Sequence, residues 1–328
     1  MIRRRPVLVF LARRVLAGAL TLLVASALIF AATEYLPGDI ASAVLGKNAT
    51  PSALAEVRAK LGVDRSAPAL YLDWLGGFVT GDLGDSAAGL ASGADSAPVW
   101  EQIREPIRNS AILAGITVAL LVPLTFLLGV IAAARAGRPV DHVISTLTLV
   151  AISLPEFVIG SLLVLVFFVQ LDLLPPVALV RPGENPLDQP RELVLPALTL
   201  LATALAWTTR LVRAGMVEAL ASDHIEQARL NGFRERRVVW RYALRNALAP
   251  SVQVFAQSIQ YLVGGVILTE VVFGYNGLGK ELVDAVVVRD VRSVQSMAML
   301  IAIVYIAFNI AADLIVALLV PRIRTAIR

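Results

Sequence analysis

The chain has 328 residues, 57% hydrophobic and 16% charged, with a mean hydropathy of +0.75 and a formal net charge of +4. Soluble domains sit nearer roughly 45–50% apolar and about 25% charged, so the composition excludes an ordinary water-soluble fold, and length is a poor guide to domain number. The absence of cysteine and the presence of only two histidines, His142 and His224, remove disulfides and thiolate chemistry and argue against a zinc or iron–sulfur centre.

A bilayer core about 30 Å thick takes roughly 20 apolar residues as helix. The first such run, Val7–Ala32, follows "MIRRRP". It is longer than the roughly 7–15 apolar residues of a secretory leader, so it reads as an uncleaved span. The next segment, Thr33–Glu105, is long enough for structure of its own. In "TPSALAEVRAKLG", Thr50 is an N-cap, Pro51 a first helical residue and Gly62 a stop, with Leu54, Val57 and Leu61 on one face. "PALYLDWLGGFV" predicts a second short helix lying at the membrane interface, with Tyr71 and Trp74 as aromatic anchors.

Five further runs follow: Ser110–Ala134, Val143–Val169, Leu193–Thr209, Ser251–Phe273 and Ser296–Val320. The third span contains Glu156 directly after helix-bending Pro155. The fourth is short and is expected to continue as "RLVRAGMVEAL", with Arg210 and Arg213 capping it at lipid headgroups or contacting a partner. The predicted class is an all-α membrane protein with six transmembrane helices. The domain reading is an N-terminal helix over 1–32, an outer segment over 33–105, a core of five spans over 106–320 and a tail over 321–328.

Arginine placement sets the direction of these spans. Arg3, Arg4 and Arg5, then Arg135 and Arg138, then Arg229, Arg234, Arg236, Arg237, Arg241 and Arg245, then Arg322, Arg324 and Arg328 all fall on one side if the spans alternate. By the positive-inside rule that side is the cytoplasm, which places both termini inside. The positive balance is thus a membrane signal rather than a nucleic-acid one.

Polar groups inside a bilayer are costly and mark either helix packing or a pathway. Gln253, Gln257, Gln260 and Gly264 share one face of the fifth span, and Glu156 is a second pathway candidate. Asn309 and Asp313 share a face of the sixth span, and no spacing in the sequence brings Asp313 to Glu156. "GYNGLGK" (Gly274–Lys280) spells the start of a phosphate-binding loop, but Glu281 stands where Ser or Thr should follow and a membrane span precedes it. It is expected instead to be a turn closing an outer gate with Glu270, Gly277 and Gly279.

The arginine-rich stretch 218–250 interrupts the apolar chain between the fourth and fifth spans. In "EQARLNG", Ile225, Ala228 and Leu230 are apolar among polar neighbours, and Gly232 supplies a left-handed stop. A second short helix is expected over Val238, Val239, Tyr242, Ala243 and Ala247, closed by Pro250. Charge runs of this kind often only set topology. A tight glycine turn between two small helices also suits docking into a groove on a partner.

"EQARLNG" resembles the E-A-A-x-x-x-G motif of binding-protein-dependent ABC importer permeases, with Glu226, Ala228 and Gly232 matching and Gln227 in place of the middle alanine. "ARLNGFRERRVVWRYALRNALAP" is similar to the peptide/nickel (oligopeptide and dipeptide permease) branch, which usually has histidine where Tyr242 stands. "YLPGD" (Tyr35–Asp39), "GDLGDS" (Gly81–Ser86), "EVVFGYNGLGKELVDAV" (Glu270–Val286) and "NIAADLIVALLVPRIR" (Asn309–Arg324) look like that family's landmarks in order. The resemblance implies a type I importer permease core with no catalysis or cofactor of its own. ATP and magnesium would be bound by two partner ATPases, beside a second homologous permease and an extracytoplasmic solute-binding protein, in the bacterial inner membrane. It implies that Glu226, Gln227, Ala228, Gly232, Phe233, Arg236 and Arg237 contact the ATPase, with Glu226 pairing a partner cation and Ala228 permitting close approach. The alternatives are an autonomous carrier or intramembrane enzyme with the basic loop as topology signal alone, and a pure scaffold.

Overall fold

The computed structural model describes residues 5–34, 50, 65–92 and 94–319, except the side chains of 5–8, 245–254, 256, 257, 259, 260 and 316–319. The helix expected over Pro51–Gly62, the "YLPGD" segment, the terminal arginines and the Gln253, Gln257 and Gln260 side chains lie outside that description. The described residues are helical with connecting turns, apart from an isolated bridge between Asp85 and Pro98.

The helices are α1 (Arg5–Glu34), α2 (Ala67–Thr80), α3 (Ala87–Ala91), α4 (Val99–Ala134), α5 (Pro139–Ser153) and α6 (Glu156–Val164), which is extended by a π-helical turn to Gln170. They continue with α7 (Pro190–Leu220), α8 (Asp223–Leu230), α9 (Glu235–Arg237), α10 (Leu244–Phe273), α11 (Leu278–Val287) and α12 (Val291–Leu319). Four stretches are long and apolar enough to cross a membrane, within α1, α4, α7 and α12. Two bent pairs, α5 with α6 and α10 with α11, bring the total to as many as six among the described residues.

Helix α7 is the central rod, with Leu195, Leu200, Ala206, Val212 and Met216 all buried. It runs to Leu220, past the end of its apolar stretch as its sequence predicts. Helix α4 packs along it closely: a Cβ on Gly129 would lie 2.8 Å from Val212 Cγ1. The Thr125 and Thr208 hydroxyls meet between the two at 2.7 Å, the small-residue and hydroxyl contact that joins helices where hydrophobic drive is absent. Helix α1 packs on α12, with Gly18 against Ile306. That pair is tied by Gln295 Nε2 donating to Thr33 Oγ1 at 2.8 Å and by an Arg14–Asp313 ion pair at 3.1 Å.

Three expectations change. The second span begins at Val99, so α4 carries the boundary between outer segment and core within its first turns. The third is not one helix over Val143–Val169: α5 and α6 meet at 109° across Leu154–Pro155. Proline lacks an N–H and disfavours helix at the residue before it, and Leu154 is extended with ψ 136°. The broken pair is anchored at its start and beyond its end. At its start Asp141 accepts from the Gly137 N–H at 2.9 Å, and beyond its end Ala178 N–H donates to the Phe273 carbonyl at 2.8 Å. Finally, Tyr71 and Trp74 do not stand out as interfacial anchors. Trp74 is buried among Phe30, Tyr71 and Phe78, and the Tyr71 hydroxyl meets Ser26 Oγ of α1 at 2.9 Å. Ring packing on Phe30 and the Tyr71–Ser26 hydrogen bond hold α2 against α1.

Candidate functional site

Three assemblies carry the candidate residues. The first is an elbow at the end of α7. Helix α8 stops at Leu230, and Gly232 turns the chain with φ +77°, a conformation that glycine adopts without cost. Open space surrounds Gly232, so the backbone alone asks for glycine. One face of α8 is buried: Ile225 and Ala228 pack with Val238, Val239 and Ala243 against Val130 and Ala133 of α4 and Val212 and Met216 of α7. Glu226, Gln227, Leu230, Phe233, Arg236 and Arg237 point outward. Ala228 packs in the chain's own core, where its small side chain lets α8 sit close on the rods.

Three contacts that the sequence did not indicate brace the elbow. Arg229 forks onto Glu235 across the turn at 2.9 and 3.2 Å. The Arg229 guanidinium holds the Glu235 carboxyl below the usual glutamate range. Phe233 stacks on Tyr242 at 5.5 Å between ring centroids, and the Arg237 guanidinium lies over the Phe233 ring at 5.0 Å. The expected second short helix is not separate. A π-helical segment, Val238–Ala243, joins α9 to α10 in one continuous helical path that runs through Pro250.

Arg213, expected at headgroups or on a partner, is held by an acid of the chain itself. Its Nη2 donates to Asp141 Oδ2 at 2.7 Å and its Nε to Oδ1, and Asp141 is buried. This ion pair joins α7 to α5. Arg210 stays exposed.

The second assembly surrounds Glu156. The break at Pro155 sets it at the first position of α6, where it is 6% exposed and accepts from Thr269 Oγ1 at 3.1 Å. Its carboxylate lies against the α10 backbone at Gly265, where an added Cβ would come within 2.7 Å of both oxygens. It lines a groove of about 1040 Å³ between α1, α10 and α12. Asp313 lines the same groove but pairs with Arg14, so the two acids do not act as a carboxylate pair.

The third assembly is the turn after α10, and here the structure brings Glu270, Gly277 and Gly279 together. Glu270 is fully buried, and its carboxylate accepts from the Gly279 N–H at 2.7 Å, the Lys280 N–H at 3.2 Å and the Ser110 hydroxyl. The phosphate-loop spelling thus does wrap an anion at a helix N-terminus, but the anion is the chain's own. Asn109 and Ser110 of α4 clamp the turn, through Asn109 Nδ2 to the Asn276 carbonyl and Leu278 N–H to Ser110 Oγ, both 2.8 Å. Nearby, Asp290 accepts from Ser86 Oγ, Ala87 N–H and Ser293 Oγ, fastening "GDLGDS" to the start of α12. No spacing in the sequence pointed to Asp290.

Residues 125–325 match the model of a family described as binding-protein-dependent transport system inner membrane component, and residues 7–107 match the N-terminal model of such membrane components. The chain is 30% identical to an oligopeptide transport system permease protein of Bacillus subtilis, over 96% of this chain and 98% of that protein. It is 34% identical to a glutathione transport system permease protein of Pectobacterium atrosepticum, over 95% and 97% respectively. It is also 34% identical to a di/tripeptide transport system permease protein of Pseudomonas aeruginosa, over 96% and 98%.

Proposed function

We infer the role of this chain from one premise: it belongs to the family of binding-protein-dependent transport system inner membrane components. It is a multi-pass membrane permease subunit of an importer, and the relatives' names support a peptide or similar small solute as cargo. In this reading it forms half of a translocation pathway beside a second, homologous permease. Two ATPase subunits hold ATP and magnesium beneath the membrane. A solute-binding protein docks at the opposite end, where α2, α3 and α11 gather. The arginine-rich end and both termini face the cytoplasm.

The observation that carries this reading is the elbow. It presents Glu226, Gln227, Phe233, Arg236 and Arg237 outward while Ile225 and Ala228 root it in the ends of α4 and α7. Closely packed cores transmit displacement rather than absorb it. An ATPase gripping Phe233 and its charged neighbours therefore moves α8, and α8 moves the two longest rods with it. Glu156 lines the path. Glu270, Gly277 and Gly279 hold the turn that closes its outer end.

Co-expression with candidate ATPase and permease subunits tests the assignment. The expected result is co-purification with an ATP-hydrolysing subunit, lost in Glu226→Arg or Gln227→Arg while the permease keeps its melting temperature. Nucleotide-independent transport by the chain alone in proteoliposomes would overturn it in favour of an autonomous carrier.

A further inference from the structure

We propose that the groove beside α10 is a transit site for a cationic group, with Glu156 as the residue that binds the ammonium of the passing solute. The proposal rests on the permease reading above and adds to it the chemistry of the cargo.

Three charged side chains line the groove: Arg14, Asp313 and Glu156. Arg14 and Asp313 neutralise each other at 3.1 Å. Glu156 has no lysine or arginine within ion-pair distance among the described residues, although it is 6% exposed. A buried carboxylate without a cation is costly in a low-dielectric setting and is found in membrane segments where function demands it. The local fold is built to hold it there. Pro155 breaks the span one residue earlier, Gly265 leaves room for both oxygens, and Thr269 donates from one turn further along α10. Tyr261 and Asn309 add neutral polar groups to the groove. A volume of about 1040 Å³ lies at the upper end of the usual range for small-molecule sites, roughly 300–1,000 Å³. An anionic solute would be repelled by Glu156 and a neutral one would gain nothing from its charge. An ammonium gains a charge-assisted hydrogen bond and removes the unpaired charge. In a peptide that ammonium is the N-terminus or a lysine side chain.

The chain has no cysteine, and Gly264 lines the groove with open space around its Cβ position. Gly264→Cys therefore places a single thiol of this chain in the groove that Glu156 lines. In the assembled importer in membrane vesicles, its modification is followed by the mass of this chain. A cationic aminoethyl thiosulfonate should react at least tenfold faster than the anionic sulfonatoethyl reagent, after normalising to a free thiol. That preference should vanish in Glu156→Gln and return in Glu156→Asp. A lysine-free peptide with a free N-terminus, or an N-acetylated peptide carrying lysine, should slow the reaction, whichever protects identifying the source of the ammonium. An N-acetylated peptide without lysine should not. An unchanged reagent preference in Glu156→Gln, protection by neither ammonium-bearing peptide, or a thiol inert to both reagents overturns the proposal. ATP-dependent peptide uptake by the same assembly separates the two levels: uptake without reagent preference sinks the Glu156 site alone, whereas its absence sinks the permease reading beneath it.

Discussion

Glu270 accepts a hydrogen bond from the Gly279 N–H at 2.7 Å, and a Cβ on Gly279 would lie 2.9 Å from that same oxygen and 2.5 Å from the Ile267 Cα. Amide and carboxylate are this close only because residue 279 has no side chain. Gly277 is under the same constraint, since its Cβ would collide with the Glu270 carboxylate. Neither glycine has a positive φ, so the requirement is steric rather than conformational.

Gly277→Ala is therefore expected to destabilise the protein by about 1–3 kcal/mol, the usual cost of overpacking a close contact. Gly264→Ala, facing open space, should be close to neutral. Thermal unfolding in detergent compares them, and equal melting temperatures for the two variants would refute the cradle.

Arg213→Ala leaves the buried Asp141 carboxylate without its cation, which should cost about 3–5 kcal/mol. Replacing both residues by leucine should cost less than the single change, because the orphaned charge goes with its partner. A double-mutant cycle on melting temperatures checks this. Simple additivity would mean that the pair does not act as a unit.

At Gly232 the demand is for φ +77° with no steric crowding. Gly232→Asn should retain most ATPase association, Gly232→Ala should lose about 1–2 kcal/mol of elbow stability, and Gly232→Val should lose more, following their tolerance of the left-handed region. The order of ATPase affinities reads this out. If valine were tolerated as well as asparagine, the turn would not need its left-handed residue.

The elbow should loosen in acid. Because Arg229 lowers the Glu235 carboxyl in the folded state, the pair's stabilisation is fully present above the ordinary glutamate range and is lost as pH falls through the depressed value. Both side chains are about half exposed, so the effect is that of a surface pair, about 0–1 kcal/mol. Protection factors over residues 223–237, the intrinsic exchange rate at each pH divided by the observed rate, should fall between pH 6 and pH 3 in the natural chain and fall less in Glu235→Gln. An equal fall in both would assign the loosening to other groups.

The apolar runs, the arginine clusters and the left-handed glycine at 232 were legible in the sequence, because each is set by local chemistry: roughly 20 apolar residues per crossing, charge beside the bilayer, and a backbone only glycine adopts cheaply. The grouping of Glu270 with Gly277 and Gly279 was legible as proximity along the chain, though not as a carboxylate cradled by amides. The broken third span was only half legible. Pro155 announced a bend, but 109° depends on what α5 and α6 pack against.

Which way a residue faces was decided elsewhere. Ala228 belongs to the motif but looks inward, onto Val130, Val212 and Met216. Arg213 reads as a surface charge until Asp141, 72 positions away, claims it, and Ser86 and Asp290 meet across 204 positions. The sequence determined that this chain crosses a membrane repeatedly and bends sharply between its fourth and fifth spans. The tertiary structure alone decided how its buried polar groups are satisfied, because a carboxylate withdrawn from water takes whatever donor the fold brings within 3 Å, and that choice is invisible to local pattern.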